Sequence, residues 1–292
     1  MKAGIIFDLD KTLTTEDQQE VIFRDYGIKD WWSKLKGIDF GLSWMQQFIL
    51  DIPEHFPGMN NEKLKEFGKK VPLEKGIPEW FDKIKIYAKN LGIELEIHII
   101  SLGNYHMIKG MGLLDHVDYI HAGIFKEENE KIVKIRNLVT PYEKIKKAKS
   151  VYKKNNHLID LGLEDYHILP RNLIGIGDGE SDADILRHIH SMGGRSIGVY
   201  KRGNEKAKEI LENHLKNDVS LIAPRDYREN SELDKKIRYY LKQIIENKCD
   251  MDFDLVQRFK RNQIQNKNVK ELAEDHLKNC KYCQERLEVE IL

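Results

Sequence analysis

Short apolar runs typical of β-strands recur along the chain, and helical patterns separate them. The runs cover residues 3–7, 93–101, 172–179, 195–200 and 219–224. Between two of them, residues 78–92 show a helical pattern that begins at a proline and ends at a glycine, as helices often do. Strands alternating with helices favour a parallel sheet covered by helices on both faces. The sequence therefore predicts an α/β fold with a doubly wound, Rossmann-like parallel sheet.

Three of these predicted strands end in polar side chains. Asp8 follows the first run, Ser101 closes the second, and Asp178 lies at the end of the third. In doubly wound sheets, ligands bind beyond the carboxyl ends of the strands. We therefore expect these three segments, distant in sequence, to meet in one crevice.

The composition excludes several classes of protein. The chain has 292 residues, which indicates roughly two domains, and its 48 basic and 48 acidic residues give a formal net charge of zero. This balance gives no global electrostatic reason to expect nucleic acid or a membrane surface as a partner. No apolar run approaches the ~20 residues that span a bilayer, and acidic residues follow the apolar start too soon for a secretory signal. We expect a soluble, cytoplasmic protein.

Two regions depart from the alternating pattern. Residues 14–72 contain Trp31, Trp32 and Trp44 but no clear strand, which predicts a helical cap over the crevice whose tryptophans either line a substrate pocket or form its core. Beyond residue 225 the sequence is polar and helical, with an apolar stripe within 231–247. The predicted domains are a catalytic core formed by residues 1–13 and 73–225, a cap at 14–72, and a C-terminal helical region at 226–292.

Asp8 and Asp10 lie two residues apart, so in a strand they would share a face. A carboxylate can attack phosphorus and form an aspartyl-phosphate, and a divalent cation offsets the repulsion between the two anions. The second carboxylate can protonate the leaving alkoxide and later deprotonate water. Thr12 is placed to hydrogen-bond near Asp10 or to help turn the chain.

Other groups for phosphoryl chemistry follow further along the chain. Ser101 can donate a hydroxyl hydrogen to a phosphate oxygen, and Lys144, or Lys147 as the alternative on the same helical stretch, offers a positive charge. The glycine-bracketed turn after the third run supplies Asp178 and Asp182. Hard carboxylate oxygens in such a turn suit Mg²⁺, and the glycines let the backbone approach an anion closely.

These motifs, in this order, resemble the haloacid dehalogenase superfamily, and their spacing is similar to its phosphoserine phosphatase-like branch. The residues that carry the resemblance are DLDKT at 8–12, Ser101, Lys144, and GDGESD at 177–182, and the match spans about residues 1–215. The resemblance implies that Asp8 is the nucleophile and Asp10 the general acid/base. It also implies that Ser101 and Lys144 bind the phosphate.

The same resemblance implies a Mg²⁺ ion held by Asp8, the Asp10 carbonyl and Asp178, with Asp182 in support. Family members that cleave carbon–halogen bonds lack an acid at the Asp10 position, so its presence favours phosphoryl chemistry. The prediction is a Mg²⁺-dependent phosphatase that hydrolyses a small phosphomonoester through an aspartyl-phosphate. Transfer of the phosphoryl group to an acceptor other than water is not excluded by the sequence.

Four residues are assigned to substrate binding: Thr12, Gly103, Glu16 and Asp17. Glu16 and Asp17 lie about where phosphoserine phosphatases present an acid to the substrate ammonium, which would indicate an amine-bearing substrate. Alternatively, they begin a helix after Thr15, where the helix dipole favours acidic side chains.

The three cysteines lie near the C-terminus, unlike a secreted disulfide framework. His276, Cys280 and Cys283 are spaced i, i+4, i+7 and would share one helix face, with a capping box of Asn268 and Glu271 before them. Tetrahedral zinc needs a fourth ligand, and Cys249 is the one other cysteine. The same spacing is also typical of a core-facing amphipathic helix.

The C-terminal pattern C-x26-H-x3-C-x2-C resembles the zinc finger of zinc-binding anti-sigma factors over about residues 247–288. The resemblance implies a small helical module ordered by one structural zinc. Charges from residue 249 onward are nearly balanced, which does not support a DNA-binding finger. We expect a protein partner or self-association instead. An alternative for the whole chain is a non-catalytic regulatory protein that senses a phosphorylated ligand in the crevice and binds its partner through this module.

Overall fold

The structure, a computed structural model, describes residues 1–29, 44–154, 166–179, 182–215, 219–246, 258–263, 267–280 and 283–284. Its strands are β1 Lys2–Phe7, β2 Glu94–Asn104, β3 Tyr119–Glu128, β4 Lys131–Asn137, β5 Leu173–Gly177, β6 Arg195–Tyr200 and β7 Leu221–Pro224. Its helices are α1 Gln18–Asp25, α2 Trp44–His55, α3 Asn61–Gly68, α4 Glu79–Asn90, α5 Tyr105–Gly110, α6 Pro141–Tyr152, α7 Ala183–Ser191, α8 Glu205–Leu215, α9 Glu232–Glu246 and α10 Lys267–Asn279. In these ranges, no helix combines the length and apolar character that a membrane crossing requires.

The strands form one sheet in the order β4-β3-β2-β1-β5-β6-β7, with β1 in the middle. All neighbouring pairs are parallel except β3 and β4, which are antiparallel. Helices cover both faces, because successive residues of β1 enter different cores. Ile5 and Phe7 join the core that contains residues of α4 and α9, whereas Ile6 joins the core formed with α6 and α7. The predicted doubly wound α/β fold is confirmed.

All five predicted strands are present, and their ends differ from the predicted ends by up to three residues. The sequence pattern did not identify β3 and β4, which form a hairpin at one edge of the sheet. Asn129 and Glu130 connect them, and both have positive φ angles, 49° and 59°. Such a two-residue turn matches the twist of an antiparallel hairpin. These strands carry many charged side chains, so their apolar pattern is weak.

The part of residues 14–72 that the structure describes is helical, as expected for a cap. Trp44 is 7% exposed, its indole Nε1 donates to the Leu102 carbonyl at 2.9 Å, and its ring lies against Phe48 and Phe125. These contacts favour a packing role for Trp44 over a pocket-lining one. Trp31 and Trp32 lie outside the described residues.

Helix α9 begins after the boundary that we predict near residue 225, yet it packs against the core of the sheet. Leu233, Ile237 and Leu241 are fully buried in the same cluster as β1. Asp234, 1% exposed, accepts a hydrogen bond from Trp80 Nε1 at 2.9 Å and pairs with Arg238 at 2.9 Å. The division into domains stays a prediction, but this helix shares its apolar contacts with the catalytic core.

Replacing Asp234 by alanine tests this docking. The change would leave the buried Trp80 N–H unpaired and remove the partner of Arg238, so we expect the free energy of unfolding to fall by about 3 kcal/mol. Glu232→Ala, on the exposed face of the same helix, should change it by less than about 0.5 kcal/mol. Urea titrations measure both, and equal effects of the two variants would contradict the described docking.

Candidate active site

The sheet register brings the polar strand ends to one edge. Phe7 of β1 pairs with Ile99 of β2 and with Ile176 of β5. The next residue, Asp8, donates its backbone N–H to the Ile176 carbonyl at 2.9 Å. Asp8 therefore lies level with the end of β5, where Asp178 follows, and with the stretch of β2 that carries Ser101. This is the convergence that the strand ends predict.

Lys144 connects two of the acidic segments. It lies in the first turn of α6, where the Thr140 hydroxyl caps the helix by accepting from the Glu143 N–H at 3.2 Å. The Lys144 Nζ is 2.7 Å from Asp8 Oδ1 and 2.7 Å from Asp182 Oδ1, and its side chain is 1% exposed. Of the two lysines that the sequence leaves open, Lys144 rather than Lys147 contacts the first aspartate.

Burial and mutual repulsion shape the electrostatics of these acids. Burial, then repulsion by Asp182, raises the pKa of Asp8 to about 6, although Lys144 opposes the shift. Burial, then repulsion by Asp8, raises the pKa of Asp178 to about 8. Burial lowers the pKa of Lys144, but attraction to Asp182 and Asp8 outweighs it, so the net shift is upward. Among the described residues, the site thus brings together more carboxyl groups than the buried Lys144 ammonium can neutralise.

The carboxylates of Asp8, Asp178 and Asp182 fit a divalent cation. One oxygen of each lies within 4.8 Å of the others. The Oδ2 atom of Asp182 is buried and has no hydrogen-bond partner among the described residues, which is costly unless something else satisfies it. Three clustered carboxylates form a hard oxygen donor set suited to Mg²⁺.

The second aspartate of the opening motif is held by Gln18, which the sequence pattern did not identify. The Gln18 backbone N–H donates to Asp10 Oδ1 at 2.8 Å, and its Nε2 lies 3.2 Å from Oδ2. Burial, then repulsion by Asp8, raises the pKa of Asp10 to about 7. Gln18 is fully buried, and its Oε1 accepts from the Asn104 N–H at 2.9 Å. A single glutamine in a polar stretch gives no sequence signal for such a role.

Ser101 and Gly103 lie next to this glutamine, near the end of β2. The fully buried Ser101 hydroxyl accepts from the Gly103 N–H at 2.9 Å. A Cβ atom on Gly103 would lie 1.6 Å from Gln18 Nε2, so a larger residue here would displace the amide group that bonds Asp10. Roles in phosphate or substrate binding for these two residues stay predictions.

The remaining predicted substrate residues follow the first strand. The Thr12 hydroxyl lies 3.4 Å from Asp8 Oδ2. Glu16 accepts two hydrogen bonds from Arg24, at 2.9 and 3.0 Å, and Asp17 pairs with Lys11. Asp17 occupies the N-cap position of α1 but makes no capping hydrogen bond with its side chain. Both acids thus have a cationic partner within their own segment.

A second cluster lies at the C-terminus. His276 Nε2 is 3.4 Å from Cys283 Sγ, and one ligand atom each of His276, Cys280 and Cys283 lies within 4.8 Å of the others. The three residues therefore lie together, although α10 ends at Asn279, before both cysteines, so the prediction of one shared helix face is not met as stated. The proposed fourth ligand, Cys249, lies outside the described residues.

Comparisons with solved structures agree with this fold. A phosphoserine phosphatase, solved as a phospho-aspartyl intermediate analogue, is 18% identical and has a TM-score of 0.53, with 82% of this chain and 98% of that chain covered. A probable phosphoserine phosphatase from Vibrio cholerae is 15% identical and has a TM-score of 0.55, with 85% and 67% covered. At these identities the likeness concerns the fold.

Comparisons of sequence add a family. An uncharacterized protein of Borreliella burgdorferi is 22% identical over 270 residues, which cover 79% of this chain and 93% of that protein. The family described as haloacid dehalogenase-like hydrolase matches residues 5–187, a stretch that includes every acidic residue of the crevice and Lys144. The chain therefore belongs to the haloacid dehalogenase-like hydrolases.

Proposed function

We propose that this hydrolase is a Mg²⁺-dependent phosphatase that cleaves a small phosphomonoester through an aspartyl-phosphate on Asp8. The observation that carries the proposal is the buried contact of Asp8 with Lys144, beside two further carboxylates. A structural ion pair alone does not need this excess of negative charge. A site that receives a cation and a phosphate does.

The chemistry begins with attack of an Asp8 carboxylate oxygen on phosphorus, while the bond from phosphorus to the ester oxygen breaks. Lys144, which bonds Asp8 Oδ1 at 2.7 Å, fixes the orientation of the nucleophile. Its charge also favours the approach of the phosphate dianion. We assign the Ser101 hydroxyl to a phosphate oxygen as well.

Asp10 handles the proton in both half-reactions. It protonates the leaving alkoxide, and it then takes a proton from the water that attacks the aspartyl-phosphate, releasing inorganic phosphate and regenerating Asp8. The two hydrogen bonds from Gln18 hold this carboxylate in place. Gln18 itself takes no part in the proton transfer.

The residues that would hold Mg²⁺ are Asp8, Asp178 and the Asp10 carbonyl, with Asp182 in support. When bound, the ion offsets the negative charge of the substrate and the nucleophile. On the substrate side, an ammonium group would have to compete with Arg24 for Glu16 and with Lys11 for Asp17. We therefore propose a small phosphomonoester without assigning an amine to it.

Replacing Asp8 by asparagine should abolish turnover of p-nitrophenyl phosphate, by at least ~10³-fold in kcat, because the nucleophile is lost. Asp184→Asn is the matched control, since that aspartate is exposed and pairs with Arg187; it should retain wild-type kcat. An Asp8→Asn protein as active as the wild type would exclude the aspartyl-phosphate mechanism.

Removal of the metal provides an independent test. Dialysis against EDTA should reduce turnover to background, and added Mg²⁺ should restore it, because the carboxylate cluster then regains its counter-charge. Circular dichroism checks that the metal-free protein stays folded. Undiminished activity of protein shown to be metal-free would contradict the proposal, and tight binding of phosphorylated metabolites without hydrolysis would favour the phospho-ligand sensor instead.

We also propose that His276, Cys280 and Cys283 bind one structural zinc ion, with Cys249 as the fourth ligand. Their mutual distances and the imidazole and thiol donors support this. Three cysteines clustered near the C-terminus also suit a reducing, cytoplasmic setting. With four protein ligands the site would be closed. Its role would then be to order a surface for a protein partner or for self-association.

Elemental analysis of the purified chain should give about one zinc atom per chain. Cys280→Ser should lower this content clearly, because a thiolate ligand is lost. His214→Gln, at an exposed histidine of α8, is the control and should leave the zinc content unchanged. Unchanged zinc in the Cys280→Ser protein would show that the ligand set is wrong.

A further inference from the structure

The loop of residues 11–15 follows the nucleophile and carries several backbone carbonyls that a distant part of the chain satisfies. Within the loop, Lys11 has a positive φ of 57°, and the N–H groups of Thr12, Leu13 and Thr14 all donate to the Leu9 carbonyl. The turn is anchored on Leu9, the residue between Asp8 and Asp10. The carbonyls of Lys11, Thr12 and Thr15 accept hydrogen bonds from the segment that follows β7.

Arg225, the first residue after β7, bonds two of these carbonyls. Its guanidinium donates to the carbonyl of Lys11 and to the carbonyl of Thr15 at 3.1 Å, and it pairs with Glu74 at 2.5 Å. Arg225 and Glu74 are 8% and 9% exposed. The backbone N–H of Glu74 donates to the Leu13 carbonyl at 2.8 Å. The ion pair therefore contacts the loop from both partners.

Tyr227 provides the third bond. Its hydroxyl donates to the Thr12 carbonyl at 3.1 Å, and its backbone N–H donates to the Lys75 carbonyl at 2.9 Å. The side chain is fully buried, with its ring against Phe7 and Trp80. The tyrosine thus contacts both the strand that leads to Asp8 and the loop that follows it.

The geometry points to Arg225 and Tyr227 as positioning residues for the proposed reaction: through three backbone carbonyls they hold the loop that orients Asp8 and Asp10. Both residues lie beyond residues 5–187, the part of the chain that the family description matches. The expected loss of kcat rests on the proposed phosphatase function. The expected movement of the loop does not. The bond to the Thr12 carbonyl is buried and the two bonds from Arg225 are partly buried, and a carbonyl that loses its donor in such surroundings is costly. A chain that lacks these donors would therefore move the loop, and small displacements of reacting groups reduce rates strongly.

Steady-state kinetics with p-nitrophenyl phosphate and saturating Mg²⁺ test the positioning role. Tyr227→Phe should lower kcat about tenfold, the equivalent of one hydrogen bond, with KM changed less than about twofold. Arg225→Met should lower kcat by about 10²-fold. Arg225→Lys should fall between them, because an ammonium restores the charge opposite Glu74 but not the planar fork that serves two carbonyls. Arg228→Met, at an exposed guanidinium that pairs with Asp226, is the control and should match the wild type.

Hydrogen–deuterium exchange separates this inference from the proposed function. Peptides covering residues 11–15 should exchange faster in Tyr227→Phe and Arg225→Lys than in Arg228→Met, and peptides of β6 should not. This measurement needs no turnover. If the wild-type protein hydrolysed no ester, the phosphatase proposal would be wrong, but hydrogen exchange would still test the loop contacts. Thermal unfolding shows whether each variant is folded. Folded variants that keep wild-type kcat would overturn the positioning role, and so would folded variants that keep wild-type exchange in the loop.

Discussion

The ammonium of Lys144 between Asp8 and Asp182 is the interaction on which the site depends. A buried charge is tolerated when it is paired and hydrogen-bonded, and this lysine has a bond of 2.7 Å to each acid. It joins the end of β1 to the start of α7 across the sheet edge, so three separate segments must be folded before both of its ion pairs are formed. The negative charge that remains makes the crevice receptive to a cation.

Much of this site follows from the sequence because it depends on local, repeating rules. Parallel strands end at the same edge of a sheet, so the strand pattern by itself predicts that Asp8, Ser101 and Asp178 lie together. The register confirms this, with Phe7 paired to Ile99 and Ile176. The same rules do not distinguish Lys144 from Lys147, because both lie on α6. Which of the two faces the site depends on how that helix packs against the sheet.

Contacts that depend on tertiary packing could not be derived in this way. Gln18 holds Asp10 because α1 starts beside β2. No pattern in the sequence predicts this contact between the helix and the strand. Arg225 and Tyr227 contact a loop more than 200 residues earlier in the chain. The sequence pattern does not identify the β3–β4 hairpin, because a charged edge strand has little apolar periodicity. Glu16 and Asp17, predicted as substrate contacts, pair with Arg24 and Lys11 in the structure.

The long reach of Arg225 and Tyr227 has a consequence for how the chain acquires activity during synthesis. The residues that flank the nucleophile leave the ribosome well before the groups that bond their carbonyls, which follow by up to 215 positions. Contacts of such sequence separation form late and slowly. The donors to three carbonyls of this loop are therefore absent from the nascent chain until translation has passed residue 227.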